Sequence, residues 1–343
     1  MKNFLISLVA IAALWLIPYF AANVAVLKLL IAVIIPYAAV VIFLVGFIYK
    51  VIDWSKSAVP FRIPTTAGQQ KSLPWIKANN IDNPFTKMGV IIRMLLEVLA
   101  FRSLFRNTTM SVSETEHGKR LAYKTEIFLW IGAMAFHYCF LVVVLRHLRF
   151  FLDPVPACVQ LVEFFDGLMR VEFFSSVFSI GLPGIMMSGL ILLAAAIFLL
   201  GRRLFNAKVK YISLMADYFP LQLIIAIAIS GIFMRHFFKV DLTAVKQLSM
   251  GLATFSPVIP TNVGSIFYIH IFLVSMLVMY IPFSKLMHMA GVFLSPTRNL
   301  TADTRMNRHI NPWNHDVKTH NYDEYEDEFR EVMKNAGLRV EKE

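Results

Sequence analysis

Six stretches of apolar residues, each about twenty or more long, constrain this chain more than any other feature. They run from Phe4 to Phe20, Val24 to Ile52, about Glu126 to Phe151, Pro183 to Leu200, Phe219 to Phe238 and about Gly264 to Met289. A backbone crossing hydrocarbon must satisfy every N–H and C=O internally, and continuous runs of this length predict that it does so as helices. The chain has 343 residues, 57% hydrophobic and 16% charged. That composition fits an all-α, polytopic membrane helical bundle with about six transmembrane helices, not a soluble domain. The first run follows Lys2 as a signal peptide would, but it lacks a good small-x-small cleavage site and reads as a retained span. Pro18 and Pro36 are expected to kink the first pair of helices.

The net charge of +11 points to cations retained on cytoplasmic loops, not to nucleic acid. Residues 50–124 hold twelve Lys/Arg against five Asp/Glu, whereas the connections 152–182 and 240–262 hold only Arg170 and Lys246 as cations. The chain therefore divides into two N-terminal transmembrane helices (1–52), a basic cytoplasmic loop (53–124), four further helices (125–290) and a cytoplasmic tail (291–343), with both termini cytoplasmic and the protein in the inner membrane. Within the loop, Phe85 to Arg106 alternates apolar residues with cations, which suits an amphipathic helix in the membrane face or one packed on a partner subunit. The tail, with eight Lys/Arg and ten Asp/Glu, is expected to dock on a cytoplasmic partner.

Histidine supplies the chemistry. His137 and His147 lie ten residues apart on the third run, and His270 and His288 eighteen apart on the last. An ionisable side chain within the membrane marks a functional site by default, and two histidines on each of two helices suit bis-histidine haem b. The two cysteines, Cys139 and Cys158, are too few for an iron–sulfur cluster or a zinc centre. The loop charges make the two helices antiparallel, so the early ligand of each meets the late ligand of the other. His137 pairs with His288 near the cytoplasm, and His147 with His270 near the outer face. The ligands should rise roughly 15 Å along one helix and roughly 27 Å along the other, a mismatch that tilt or bending must absorb.

The surroundings are less specific. Arg146 and Arg149 flank His147 where haem propionates would want cations, although snorkelling explains them equally well. Ser284, one turn before His288, is a candidate to fix its imidazole. Gly132, Ala133, Ala135, Gly264, Ala290 and Gly291 leave room beside the ligands, or simply let helices approach. His236, beside Arg235 and Lys239, reads as structural. The metal ligands are thus His137, His147, His270 and His288, with Arg146 and Arg149 as further cofactor contacts and no catalytic residue. Two haems b without another cofactor move single electrons, so a quinone is the natural exchange partner. Glu163, Asp166, Arg170 and Glu172 are equally placed to exchange its protons. A proton-relay transporter without haem would use the same histidines but calls for carboxylates in those helices, where Glu126 stands only at a mouth. A haem-binding sensor would lack quinone reactivity.

Two histidines ten apart on one helix and two eighteen apart on the last resemble the membrane cytochrome b family of the respiratory nitrate reductase gamma subunit, over roughly residues 125–290. That resemblance implies the same ligand pairing. Longer runs extend the likeness: Pro60-Phe61-Arg62-Ile63-Pro64-Thr65-Thr66, Gly68-Gln69-Gln70-Lys71-Ser72-Leu73-Pro74-Trp75, Arg146-His147-Leu148-Arg149-Phe150, Phe283-Ser284-Lys285-Leu286-Met287-His288 and His309-Ile310-Asn311-Pro312-Trp313-Asn314. These are similar to the DsrM family, cytochrome b subunits of the Dsr membrane complex of sulfate reducers and sulfur oxidisers. The resemblance implies two haems b, menaquinone exchange and an iron–sulfur partner like DsrK, itself similar to heterodisulfide reductase and acting on the trisulfide or thiols of DsrC. It also implies further subunits like DsrJ, DsrO and DsrP. A quinone-linked cytochrome b of another respiratory complex is the alternative. The extra N-terminal span and basic loop depart from the nitrate reductase pattern, so that family's quinone contacts do not carry over.

Overall fold

The computed structural model describes residues 2–342 apart from 58, 60–61, 64, 66–67, 117, 169–185, 261–262 and 308–318. Its helices are α1 (Lys2–Ala21), α2 (Ala25–Ser55), α3 (Lys87–Ala100), α4 (Ile127–His147), α5 (Ala157–Leu168), α6 (Met187–Phe205), α7 (Met215–Ile232), α8 (Leu242–Ala253), α9 (Ser265–Tyr280) and α10 (Tyr322–Asn335). Among the described residues α1, α2, α4, α6, α7 and α9, with their adjoining turns, are the six long and apolar enough to cross a membrane. They coincide with the six apolar runs, except that the expected start of the fourth, Pro183, lies outside the described residues. The chain is a multi-pass membrane protein. Outward side chains such as Val9, Ile17, Val45 and Phe128 are exposed because lipid, not protein, is their apolar environment.

The bundle is built around α9, which packs on α1, α2 and α7. Leu273 of α9 and Leu223 of α7 are fully buried, beside Ile224, Ile266, Ile269 and Ile11. Helix α4 instead packs on α5 and α6. The two histidine-bearing helices thus have different principal neighbours. In α2 a widened π turn, Leu30–Ile34, directly precedes Pro36. Proline has no N–H to continue the ladder, and the turn absorbs the resulting shift.

The last span departs from expectation. It was expected to run to about Met289 as one helix, but α9 ends at Tyr280 and gives way to 3₁₀ turns at Ile281–Phe283 and Lys285–Met287. Pro282 sits inside the first turn, buried against α2, where a Cβ added to Gly46 would lie 2.7 Å from Pro282 Cβ. The break absorbs the unequal rises anticipated for the two ligand pairs.

The basic loop is more structured than its composition suggested. Residues 85–106 form α3 and a single turn, Arg102–Phe105, joined at Phe101 in the left-handed region (φ 48). The next residues, read only as loop, form an antiparallel hairpin, β1 (Thr108–Thr115) with β2 (Gly118–Thr125). Met110 faces Tyr123 and Val112 faces Leu121, so one face is apolar, and all four are exposed. The start of the tail folds back on this loop: Ala302 N–H donates to Pro84 O (2.7 Å), Gln70 Nε2 to Thr304 Oγ1 (3.0 Å), and Arg298 pairs with Glu97 (3.2 Å).

Asp82 ties the cap together. Its buried carboxylate pairs with Arg102 and Arg106, and its backbone carbonyl accepts from the buried Arg62 and Arg93. Burial alone would raise this carboxyl, but the hydrogen bonds from Arg102 and Arg106 hold it below the ordinary range. A depressed carboxylate contributes stability above its unfolded pKa and loses it only as pH falls through the lower folded value. The cap should therefore remain closed at pH 5. Asp82→Asn, which removes the counter-charge of two arginines, should cost on the order of 3 kcal/mol. Limited proteolysis of residues 62–106 at neutral pH checks this; equal cleavage in variant and native protein would count against it.

Candidate functional site

The four histidines meet in two pairs. The His147 and His270 ring centres lie 6.3 Å apart with planes at 20°, and those of His137 and His288 lie 6.1 Å apart at 86°. The pairing expected from the antiparallel argument is the one observed. His288 follows the two 3₁₀ turns that begin at the Pro282 break, not the continuous helix α9.

An iron bound by two imidazoles at about 2 Å each, with each ring centre about 1 Å further out, separates the centres by about 6 Å. Both pairs fit that spacing. Bare ring contact also suits such a distance, and the hydrogen bonds show which ring nitrogen each histidine leaves over. His137 Nδ1–H donates to Ala133 O (2.8 Å), His147 Nδ1–H to Val143 O (2.6 Å) and His288 Nδ1–H to Lys285 O (2.8 Å). His270 Nδ1–H donates to Ser230 Oγ (2.8 Å), whose own hydrogen goes to Ile227 O (2.9 Å). All four Nδ1 atoms are engaged, and each Nε2 is without a hydrogen bond among the described residues. This is the tautomer a metal-ligating imidazole needs. Among the described residues no group of three or more His, Cys, Asp and Glu converges, so each pair would offer a metal two imidazoles. That set suits a planar macrocycle filling the remaining positions.

The second ring of contacts was partly missed. Ser284 makes no hydrogen bond to His288; it donates to Ile281 O and caps the 3₁₀ turn by accepting from Leu286 N–H. The hydroxyl that fixes an imidazole is the fully buried Ser230, on α7, with no motif around it to mark it out. Gly231 beside it would place a Cβ 3.3 Å from His270 Cε1. Phe101 meets the His137 ring edge-on at 4.9 Å, held there because Trp130 and Tyr138 of α4 donate to Ala100 O and Leu99 O, the exposed carbonyls at the end of α3. Gly132 packs on Phe198 rather than opening space beside a histidine. Ser230→Ala should weaken cofactor retention at the His147/His270 pair by about 10- to 100-fold, as loss of a ligand's outer hydrogen bond does. Competition with apomyoglobin for haem reads this directly, and unchanged retention would remove the hydroxyl from the site.

Arg146 and Arg149 lie beside this pair but are engaged, Arg146 with Asp166 and Arg149 with Glu163. Asp166 also accepts from Ser188 N–H (3.0 Å) and Oγ–H (2.7 Å). Two of the quinone-side candidates thus form ion pairs with the two propionate candidates. Arg170 and Glu172 lie outside the described residues. His236 is buried within the π turn Phe233–Phe237. Glu126 accepts from Thr109 Oγ1 (2.6 Å) and pairs with Arg202 (3.6 Å), and these contacts hold its carboxyl below the ordinary range. It stands apart from the histidines as a structural anion.

Residues 92–308 match the nitrate reductase gamma subunit family. The chain belongs to that family. The match begins inside α3 and runs past His288, so all four paired histidines of this nitrate reductase gamma-type chain fall within it, while α1 and α2 lie outside. Across 288 residues, 82% of each chain, it is 46% identical to the Hdr-like menaquinol oxidoreductase cytochrome b-like subunit of Archaeoglobus fulgidus. Across 285 residues, 81% of each chain, it is 42% identical to the subunit of the same description from Archaeoglobus profundus.

Proposed function

We propose that this chain is the membrane cytochrome b of a menaquinone-linked respiratory complex, ligating two haems b through His137/His288 and His147/His270. The observation that carries the proposal is the matched pair of sites: four imidazoles at bis-ligand spacing, each with Nδ1 engaged and Nε2 left over. Haem b supplies one-electron transfer. The relatives' description as menaquinol oxidoreductase subunits favours menaquinone as the exchangeable substrate.

The chain's own residues do the rest. Ser230 and three backbone carbonyls set the tautomer and hold the rings. Arg146 and Arg149 supply cations for propionates by sharing them with Asp166 and Glu163. The basic cap faces the cytoplasm with both termini, following the cation distribution along the chain. Its apolar hairpin face and the exposed Tyr325, Phe329 and Val332 of α10 give an iron–sulfur partner surfaces to cover. The resemblance of the long runs to the DsrM family favours a partner of the DsrK class, with DsrJ-, DsrO- and DsrP-like subunits alongside and DsrC as the remote thiol or trisulfide substrate. The test is a reduced-minus-oxidised spectrum of the purified protein with a menaquinol analogue, followed by identification of co-purifying subunits. Reducible b-type bands and an iron–sulfur partner are expected; a colourless protein from haem-replete cells would end the proposal.

A further inference from the structure

The basic cap contains a polar cavity that the histidine pairs do not use. Its volume is about 170 Å³, and it is lined by Arg62, Thr65, Gln69, Asn83, Thr304 and Arg305, among others. The lining joins the two ends of the chain's extramembrane part: the Gln69-bearing stretch that sequence alone singled out, and the start of the tail. Gln70 Nε2 donating to Thr304 Oγ1 closes the seam between them.

Arg62 is the decisive residue. It is 4% exposed, and its Nη2 donates to the Asp82 carbonyl (3.1 Å). Its Nε and Nη1 are buried without a hydrogen-bond partner among the described residues. The Asp82 carboxylate is taken by Arg102 and Arg106, and among the described residues no aspartate or glutamate lines the cavity. A buried guanidinium with open donors and no counter-charge is costly to keep and calls for an anion. Burial and the neighbouring Arg93 push its pKa down to about 10, as expected of a cation lacking its partner.

We propose that this cavity is an oxyanion site for a phosphate group, with Arg62 as its buried anchor, Arg305 as a second cation, and Thr304, Thr65, Gln69 and Asn83 as neutral polar neighbours. Size decides the class. Sites for drug-sized ligands run from about 300 Å³ upward, so the cavity is too small to enclose a whole nucleotide but holds one phosphate group with a few waters. The tetrahedral group presents oxygens in several directions, as a site with donors from both chain segments requires. The phosphate is either free or the headgroup of an anionic lipid. The inference stands independently of the haem assignment.

The experiment measures thermal unfolding of the full-length protein against inorganic phosphate, with chloride balancing ionic strength. The midpoint should rise and saturate. Apparent affinity should fall at least tenfold in Arg62→Gln and measurably in Arg305→Gln, which changes a cavity wall rather than the buried anchor and so remains informative if the first variant fails to fold. A parallel arm uses phosphatidylcholine vesicles with and without phosphatidylglycerol. Stabilisation by phosphatidylglycerol that abolishes the response to free phosphate assigns the site to a headgroup; a phosphate response indifferent to the lipid assigns it to the free ion. No response in either arm overturns the proposal, and so does a response of undiminished affinity in the folded variants, since general salting-out needs no arginine.

Discussion

Replacing His270 by alanine should leave a protein with one haem b instead of two, and replacing His288 should do the same at the other centre. On the proposed assignment the four imidazoles form two independent pairs, with ring centres 6.3 Å apart for His147/His270 and 6.1 Å for His137/His288. Removing one ring from a pair leaves the iron with a single protein ligand, and the truncated side chain cannot reach across. His147→Ala should therefore reproduce His270→Ala, and His137→Ala should reproduce His288→Ala. The double variant His147→Ala/His270→Ala should be no worse than either single change, because residues acting as a unit are not additive. The measurement is the pyridine haemochrome per mole of protein, with the reduced-minus-oxidised spectrum showing which band remains. Two haems retained in the single variants of both pairs would refute the ligand assignment. A loss that followed a different grouping, such as His137 with His270, would refute the pairing.

Much of this arrangement is legible in the sequence alone. Helices in lipid have no alternative backbone, so apolar runs mark them directly, and the cation bias orients α4 and α9 oppositely. With only two histidines on each, antiparallel helices allow one sensible pairing. What escaped depends on contacts that run across the chain. Ser230 binds His270 from forty residues away on α7, and nothing local separates it from any other helical serine. Ser284 is the better candidate only on a continuous helix through Pro282; the break turns its hydroxyl into a cap for the 3₁₀ turn. The hairpin did carry a signal. Met110 and Val112 alternate with Thr109, Ser111 and Ser113, and Leu121 and Tyr123 with Arg120, Ala122 and Lys124, the period of a strand, but neither run is apolar enough to stand out within a basic segment. The engagement of Arg146 and Arg149 depends on α5, which brings Asp166 and Glu163 back over the end of α4.

Gly46→Leu should empty one centre and spare the other, although residue 46 touches no histidine. Helix α2 approaches the Pro282 turn so closely that even a Cβ at Gly46 would fall 2.7 Å from Pro282 Cβ and 3.0 Å from Cγ. Neither partner can yield easily, since Pro282 is a rigid ring and is buried. The turn must move, and overpacking of this kind costs about 1–3 kcal/mol. The displacement reaches His288 through a short relay. Lys285 Nζ is pinned by the Asp217 carboxylate (2.8 Å), Lys285 O orients the His288 ring (2.8 Å), and Met287 between them is buried. A shift of the turn misaligns one imidazole of the His137/His288 pair, and retention there should fall at least tenfold, in line with about 1.4 kcal/mol per decade. His270 lies on the intact part of α9, so the His147/His270 pair should keep its haem. Gly291→Ala is the control, because a Cβ there meets Trp54 at an ordinary 3.5 Å, and it should retain both. Loss of both haems in Gly46→Leu would mean that the bundle as a whole had failed. Retention of both would mean that the Pro282 break does not set the position of His288.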